Sequence, residues 1–275
     1  MTNLIIVKLL TLLNVVNFKL GKTMSKQIKN VWIAANHSFQ RFDNRLLRHL
    51  SYGSPVARWE YYQHQDEPSC LKIALSLLEN YLDSQEQLIN LIGHSTGGLL
   101  GLLYARKYPK KVKSLTLLGV GCHPTVDWQI HYYALREFLP CSQRIILAQM
   151  VQKMFGRQNQ YNTKGLSKIL QQDLNTSPSP HSLFRRITIP NRSIASPLMV
   201  CGSVDDSICD RNSLRGWQQY FKPGDVLWEC PQGNHFFHYF YPQEVSRQVL
   251  KFWQRVETEN YEPPQAISSS FLDLR

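Results

Sequence analysis

The segment Gly-His-Ser-Thr-Gly-Gly at residues 93–98 constrains the fold of this chain more than any other part of the sequence. An apolar run at 88–92 precedes it, and a largely apolar stretch from Leu99 follows it, which predicts a strand, a tight turn and a helix. Glycines on both sides of Ser95 permit a turn sharp enough to expose the serine hydroxyl at the end of the strand. A glycine-rich turn with a purely structural role is the alternative interpretation.

Further apolar runs predict the rest of a sheet. They occupy residues 31–35, 114–118, 197–201 and 226–230. Near-continuous apolar strands are typical of parallel sheets that are covered on both faces. Helical patterns at 70–81 and 242–256 complete an alternation of strands and helices, which predicts a doubly wound, mostly parallel α/β sheet with right-handed crossovers.

One region interrupts this alternation. Residues 123–196 show no convincing strand pattern but carry helical patterns at 130–138, 142–155 and 166–174. We therefore predict a core formed by residues 24–122 and 197–257, with residues 123–196 as a helical cap over the active-site face. Apolar side chains of this cap are expected to pack on the core and, in part, to line a substrate cavity. The candidates are Tyr132, Leu135, Phe138, Met150 and Phe155.

The two ends of the chain are predicted to lie outside the fold. Residues 1–23 hold an apolar stretch from Leu4 to Phe18 that Lys8 interrupts and that no small-residue cleavage site follows. Because Met24 offers a second plausible start, we interpret this leader as non-native or frayed, with a membrane-surface anchor as the alternative. Residues 258–275, rich in Ser, Pro and Glu, are predicted to be a flexible tail.

The charge and the cysteines bear on partners and compartment. Thirty-one Lys and Arg against twenty Asp and Glu give a net charge of +11. The basic residues are scattered and accompany no nucleic-acid module, so we predict no nucleic-acid partner and regard a membrane surface as possible but not favoured.

The six cysteines form no CxxC pair or zinc-type cluster. This usage predicts reduced thiols and a cytoplasmic location, with a disulfide pair as the alternative.

Candidate partners for Ser95 follow later strands. The run at 197–201 leads into Asp205 and Asp206, which places carboxylates at the carboxyl end of a strand, where open α/β sheets bind ligands. Asp205 is the preferred acid and Asp206 the alternative. After the last strand comes His235, two residues beyond a glycine that permits a sharp turn. His238 is the alternative base, although its aromatic neighbours favour a packed histidine.

These three motifs, in this order, resemble the α/β-hydrolase superfamily of esterases, lipases and their relatives. The resemblance covers residues 31–256 and implies a catalytic triad of Ser95, Asp205 and His235. It also implies an oxyanion hole built from two backbone N–H groups, those of Thr96 and Phe39. Ser38 stands where the family has the glycine of a His-Gly pair, a departure that affects the hole more than the triad.

The resemblance implies hydrolysis of an ester or related acyl compound through an acyl-enzyme intermediate, with a small, apolar acyl molecule as substrate. Relatives also act on thioesters and carbon–carbon bonds or carry out peroxidation, so the reaction type stays open. No metal, nucleotide or flavin motif is visible, and we predict no cofactor. Two other functions are considered: a weakly active or non-catalytic binding protein on the same fold, and a peripheral membrane lipase.

Overall fold

A computed structural model describes residues 28–62, 70–181 and 188–259. The predicted leader, residues 1–23, lies outside the described residues, as does residue 260 onward of the predicted tail. Within the described ranges, no helix combines the length and the apolar character that crossing a membrane requires. All six cysteines lie in described segments and are free thiols.

The centre of the molecule is a parallel sheet of six strands in the order β2-β1-β3-β4-β5-β6. Every residue of β1, β3 and β5 is buried, as the continuous apolar runs predicted. This arrangement confirms the predicted doubly wound α/β fold. The strands are β1 (Asn30–Ala34), β2 (Ala57–Glu60), β3 (Ile89–His94), β4 (Val112–Leu118), β5 (Leu198–Ser203) and β6 (Val226–Cys230).

Helices cover both faces of the sheet. The helices are α1 (Gln40–Gly53), α2 (Leu71–Asp83), α3 (Thr96–Lys107), α4 (Trp128–Phe138), α5 (Gln143–Phe155), α6 (Gln160–Thr176), α7 (Arg211–Arg215), α8 (Phe237–Phe240) and α9 (Pro242–Thr258). On one face, buried residues of α2, α3 and α7 pack with the sheet in a single apolar cluster. On the other face, α1 and α9 pack on it through Leu46, Leu50, Val245 and Val249. The sheet is therefore buried on both sides.

The order of the strands locates a functional edge. The chain passes from β1 to β2 on one side, and then returns to place β3 on the opposite side of β1. Crossovers that reverse direction leave a crevice at the carboxyl ends of the two strands on either side of the reversal, here β1 and β3. Ser95 directly follows β3, and Asn36 lies just beyond β1. The candidate serine thus lies at the switch point of the sheet.

The sequence patterns did not reveal α1 and β2. Phe42, Leu46 and Leu50 recur at helical spacing and are all buried, so the signal for α1 was present. By contrast, β2 is a half-buried edge strand in which Arg58 and Glu60 alternate with apolar residues. A strand of four residues with two charged side chains carries little periodic signal, because only one of its positions is fully buried.

Helices α4, α5 and α6 form an insertion between β4 and β5. They occupy much of residues 123–196, and the described part of that range contains no strand. Their apolar residues form a third buried cluster with Phe39, Phe42 and Phe236 of the core domain. We call residues 123–196 the helical insertion below.

Candidate active site

Ser95 lies on a strained turn between β3 and α3. Its backbone has a φ of 49° and a ψ of −121°, a conformation that non-glycine residues rarely adopt. Its N–H donates to the Leu118 carbonyl at 2.9 Å, and its carbonyl accepts from the Leu99 N–H at 3.0 Å. A Cβ on Gly93 would lie 2.5 Å from the Gly97 carbonyl carbon, so only glycine lets the strand and the helix approach this closely. The tight turn that the sequence predicted is therefore present.

His235 is held by Asp206. The His235 Nδ1 lies 2.9 Å from the Asp206 Oδ2, and the other carboxylate oxygen accepts from the N–H groups of Ile208 and Cys209 at 2.7 and 3.1 Å. Because a carboxylate only accepts, the His235 Nδ1 is the donor in this contact, and the Nε2 is the ring nitrogen left for another partner. That Nε2 is buried and has no hydrogen-bond partner among the described residues. The pair is thus arranged to accept a proton at the Nε2.

The structure pairs His235 with Asp206 rather than with Asp205, the acid that the sequence favoured. Asp205 is exposed and accepts instead from the Asn234 N–H at 2.8 Å and the Gly233 N–H at 3.3 Å. The two aspartates diverge because the chain turns after β5, where the Asp206 N–H donates to the Ser203 carbonyl at 3.2 Å. Asp206 therefore points into the protein, while Asp205 holds the turn that precedes His235.

The end of β4 brings Ser95 and His235 together. Leu118, the last residue of β4, accepts the hydrogen bond from the Ser95 N–H. A Cβ on the next residue, Gly119, would lie 3.1 Å from the His235 Cε1, so the imidazole packs directly over this backbone. No hydrogen bond joins the Ser95 hydroxyl to His235 in the part of the chain that the structure describes. Such bonds commonly tighten only when substrate is bound.

The predicted oxyanion hole is incomplete in this conformation. Thr96 opens α3, and N–H groups of a first helical turn have no acceptor within the helix. The Phe39 N–H, the predicted second donor, is not available, because it donates to the Asn36 carbonyl at 3.0 Å and closes a 3₁₀ turn over His37–Phe39. Ser38 lacks the conformational freedom of a glycine that would open this turn. Its hydroxyl is buried without a partner among the described residues.

The helical insertion contacts three of the loops that carry candidate residues, those after β1, β5 and β6. The Asn36 amide donates to both carboxylate oxygens of Asp173 at 3.1 and 3.2 Å. The His131 Nε2 lies 3.2 Å from the Ile208 carbonyl, and the His235 N–H donates to the Met154 carbonyl at 3.2 Å. Movement of the insertion would therefore disturb these three loops together.

Aromatic rings pack around the residue that follows His235. The Phe155 ring of α5 stacks on Phe236 with centroids 4.4 Å apart, and Phe39 meets Phe236 edge-on at 5.2 Å. Ser95 is only 6% exposed and His235 only 1% exposed. Both candidate residues are therefore shielded from solvent in this conformation.

The apolar residues proposed to line a substrate cavity are mostly core. Tyr132, Met150 and Phe155 are buried in the cluster that joins the insertion to the core domain, and Leu135 packs against it. Phe138 is 76% exposed. A cavity of about 530 Å³ lies elsewhere, beside α5, and none of the candidate site residues lines it. In this conformation the insertion buries its apolar face against the residues beneath it.

Met150→Trp tests whether this packing is tight. Met150 is fully buried, so a larger ring has no room, and overpacking of this kind typically lowers stability by about 1–3 kcal/mol. We expect a lower melting temperature, measured by thermal unfolding, and a similar loss of activity on every member of a substrate series of increasing chain length. A changed chain-length preference at unchanged melting temperature would instead show that Met150 lines a cavity.

Asp173 links the insertion to the loop after β1. Its carboxylate accepts from the Asn36 amide, from the Trp128 Nε1 at 3.0 Å and from the Ser177 hydroxyl at 2.6 Å. Burial raises the pKa of Asp173 from 3.8 to about 6, although these three hydrogen bonds oppose the rise. No cation compensates the buried charge among these contacts, so the ionised form of Asp173 is destabilising in the folded protein.

The pH dependence of stability follows from this raised pKa. Between pH 4 and 6 the folded protein holds a proton on Asp173 that the unfolded chain releases. The contribution of Asp173 to the free energy of unfolding therefore falls as the pH rises and is level above about pH 6. The shift corresponds to roughly 3 kcal/mol. Urea unfolding of the wild type and Asp173→Asn from pH 4.5 to 7.5 isolates this contribution. The variant should become more stable relative to the wild type as the pH rises, whereas a constant difference would contradict the assignment.

Comparison with known proteins defines the class of this chain. A sequence profile described as the α/β-hydrolase fold matches residues 84–158, which span the Ser95 turn and the first half of the insertion. A hydrolase from Pseudomonas aeruginosa superposes with a TM-score of 0.63 at 16% identity, covering 84% of this chain and 92% of that one. A serine hydrolase from Cycloclasticus zankles superposes with a TM-score of 0.60 at 14% identity, covering 83% and 90%. At such low identity these likenesses show the fold alone.

The chain has the α/β-hydrolase fold. It is 45% identical over 231 residues to an uncharacterized protein of Nostoc sp., in an alignment that covers 84% of this chain and 92% of that protein. It is 41% identical over 237 residues to an uncharacterized protein of Synechocystis sp., which covers 86% and 94%. The similarity therefore extends over nearly the whole length of both relatives.

Proposed function

We propose that this protein is a serine hydrolase that cleaves an ester or related acyl substrate, with Ser95 as nucleophile, His235 as general base and Asp206 as the acid that orients the histidine. The observation that carries the proposal is the 2.9 Å contact between the His235 Nδ1 and Asp206, which leaves the buried Nε2 unpaired beside the Ser95 turn. The strained backbone at Ser95 supports it, because strain of this kind concentrates at functional sites.

The proposed chemistry follows from these groups. The His235 Nε2 takes the proton of the Ser95 hydroxyl as the oxygen attacks the acyl carbon, and the resulting imidazolium is stabilised by Asp206. The same proton then passes to the leaving alcohol, which departs and leaves an acyl group on Ser95. Water repeats the sequence in the second half of the cycle, with His235 again as base, and releases the acid.

Catalysis by this route requires a rearrangement. The Thr96 N–H can stabilise the oxyanion from its place at the start of α3, but the Phe39 N–H must first leave the Asn36 carbonyl. The helical insertion must also separate from Phe236 before a substrate can enter. We propose that it acts as a cap, and that a small, apolar acyl substrate replaces the aromatic contacts that the cap makes when closed.

A fluorophosphonate probe tests the proposal directly. Such probes react with activated serines, so we expect covalent labelling of the wild-type protein and localisation of the adduct to Ser95 by peptide mass spectrometry. A series of p-nitrophenyl esters of increasing chain length then measures turnover and acyl preference. Absence of labelling under conditions that label an active esterase, or an adduct on another serine, would refute the proposal.

A second candidate function is a binding protein that retains the hydrolase fold. The closed site and the engaged Phe39 N–H favour it, because both oppose turnover in this conformation. It predicts saturable binding of an acyl ligand, measured by calorimetry, without labelling or hydrolysis. A peripheral membrane lipase remains a separate hypothesis that depends on residues 1–23, and vesicle co-sedimentation with and without those residues tests it.

A further inference from the structure

Three buried histidines pack together next to Ser95. His94 lies between the other two, with its ring centroid 4.6 Å from that of His235 and 4.4 Å from that of His238. The three come from the Ser95 motif, the loop after β6 and helix α8. The proposed chemistry uses only His235. The presence of the other two buried titratable rings, those of His94 and His238, is not explained by that chemistry.

His94 holds the backbone of His235. The His94 Nε2 lies 2.9 Å from the His235 carbonyl oxygen, and because a carbonyl only accepts, this nitrogen carries a proton. Burial, and then the neighbouring His238 and His235, keep the pKa of His94 well below its usual range, so the ring stays neutral. The His235 N–H is bound to the Met154 carbonyl on the other side. The main chain of His235 is thus fixed from both sides, once by the helical insertion and once by the residue next to Ser95.

A second Asp–His pair backs this contact. The His238 Nε2 lies 3.3 Å from the Asp43 Oδ1, and the other oxygen of Asp43 accepts from the Trp32 Nε1 at 3.1 Å. Arg58 lies 3.7 Å from the same oxygen. These contacts hold the His238 ring, which in turn packs against the His94 ring. The buried His238 Nδ1 has no hydrogen-bond partner among the described residues, so the contact with Asp43 is the one that orients this ring.

We propose that His94 is a positioning residue that aims the His235 imidazole at Ser95, and that the Asp43–His238 pair fixes the His94 ring in the required orientation. This inference rests on the proposed function, in which His235 is the general base. It couples the nucleophile and the base mechanically, because His94 is the residue immediately before Ser95. Any shift of the Ser95 turn is therefore transmitted to the His235 backbone.

The rate of fluorophosphonate labelling measures this positioning. His94→Leu removes the donor and retains an apolar side chain, whereas His94→Gln retains an N–H that can reach the same carbonyl. Since small misplacements of catalytic groups lower rates by up to about 100-fold, we expect the leucine variant to label at least about 10-fold more slowly. The glutamine variant should stay within about 3-fold of the wild type, because it preserves the hydrogen bond. Asp43→Asn should slow labelling by at least about 3-fold through the weakened His238 anchor.

A matched control separates positioning from general destabilisation. The Asn30 amide donates to the Pro55 carbonyl at 2.9 Å, which is a buried side-chain N–H to carbonyl bond at the amino end of β1, away from the site and the insertion. Asn30→Leu should lower the melting temperature and leave the labelling rate unchanged. An unchanged labelling rate in folded His94→Leu, or equal slowing by leucine and glutamine at position 94, would overturn the positioning role. An unchanged rate in folded Asp43→Asn would overturn the role of the Asp43–His238 pair.

A measurement on the wild type remains decisive if the leucine variant does not fold. In ¹⁵N-histidine-labelled protein, with the His94 resonances assigned through His94→Gln, we expect a neutral ring protonated at Nε2 at pH 7. The opposite tautomer or a charged ring would overturn the inference. If the wild type shows this tautomer but is not labelled at Ser95, the proposed function fails while the contact itself stands.

Discussion

Replacing either Ser95 or His235 by alanine is expected to lower kcat by about 10⁶-fold, because the nucleophile and its base act as a unit. The Ser95→Ala/His235→Ala double variant should be no slower than either single variant, since the second replacement removes a group that no longer has a function. Ester turnover and fluorophosphonate labelling measure the loss. Circular dichroism should show an intact fold for Ser95→Ala, whose side chain is small and contributes little packing.

His238→Ala serves as the comparison. We expect a smaller loss of kcat than for His235→Ala, because His238 contacts Asp43 and the far side of His94 rather than the reacting atoms. If His238→Ala abolishes turnover in a folded protein while His235→Ala is mild, the base has been assigned to the wrong histidine. Additive losses in the Ser95/His235 double variant would likewise show that the two residues do not act together.

Asp206→Asn is expected to lower kcat by about 10⁴-fold, whereas Asp205→Asn should cost less than about 10-fold. The N–H groups of Ile208 and Cys209 both point at one oxygen of Asp206, so an asparagine there would turn its own oxygen toward them. Its NH₂ group would then face the His235 Nδ1 and select the tautomer that is protonated at Nε2. That tautomer cannot accept the serine proton.

The Asp205 variant has a different local effect. Asparagine keeps one acceptor oxygen for the turn at Gly233 and Asn234. The loop before His235 should therefore lose one hydrogen bond and keep its backbone conformation. The ratio of the two kcat values decides between the carboxylates. A larger loss for Asp205→Asn than for Asp206→Asn would restore the assignment that the sequence favoured.

The fold could be predicted from the sequence because the signals for its strands and helices are local. Each buried strand is an apolar run, since a parallel sheet that is covered on both faces requires apolar side chains on both sides. The Ser95 turn is likewise encoded locally by Gly93 and Gly97, which allow the close approach of β3 and α3. The helical character of the insertion also followed from its periodicity.

The choice between neighbouring residues was not encoded in this way. Asp205 and Asp206 have the same chemistry and follow the same strand, and only the hydrogen-bonded turn after Ser203 decides which one faces inward. The contact between His238 and Asp43 joins residues that are 195 positions apart in sequence. Asp43 lies on α1, which the sequence patterns did not predict. A contact of this kind leaves no local pattern.

The sequence by itself thus determined the fold class, the serine at the switch point of the sheet and the histidine after the last strand, because each is marked by its immediate neighbours. Only the tertiary structure decided that Asp206 holds His235, that the Phe39 N–H is already bound and that the insertion packs against the loop that carries His235. These features depend on the direction of side chains and backbone groups across segments that meet only when the sheet assembles. Side-chain direction at a turn changes completely from one residue to the next, and periodicity carries no record of it.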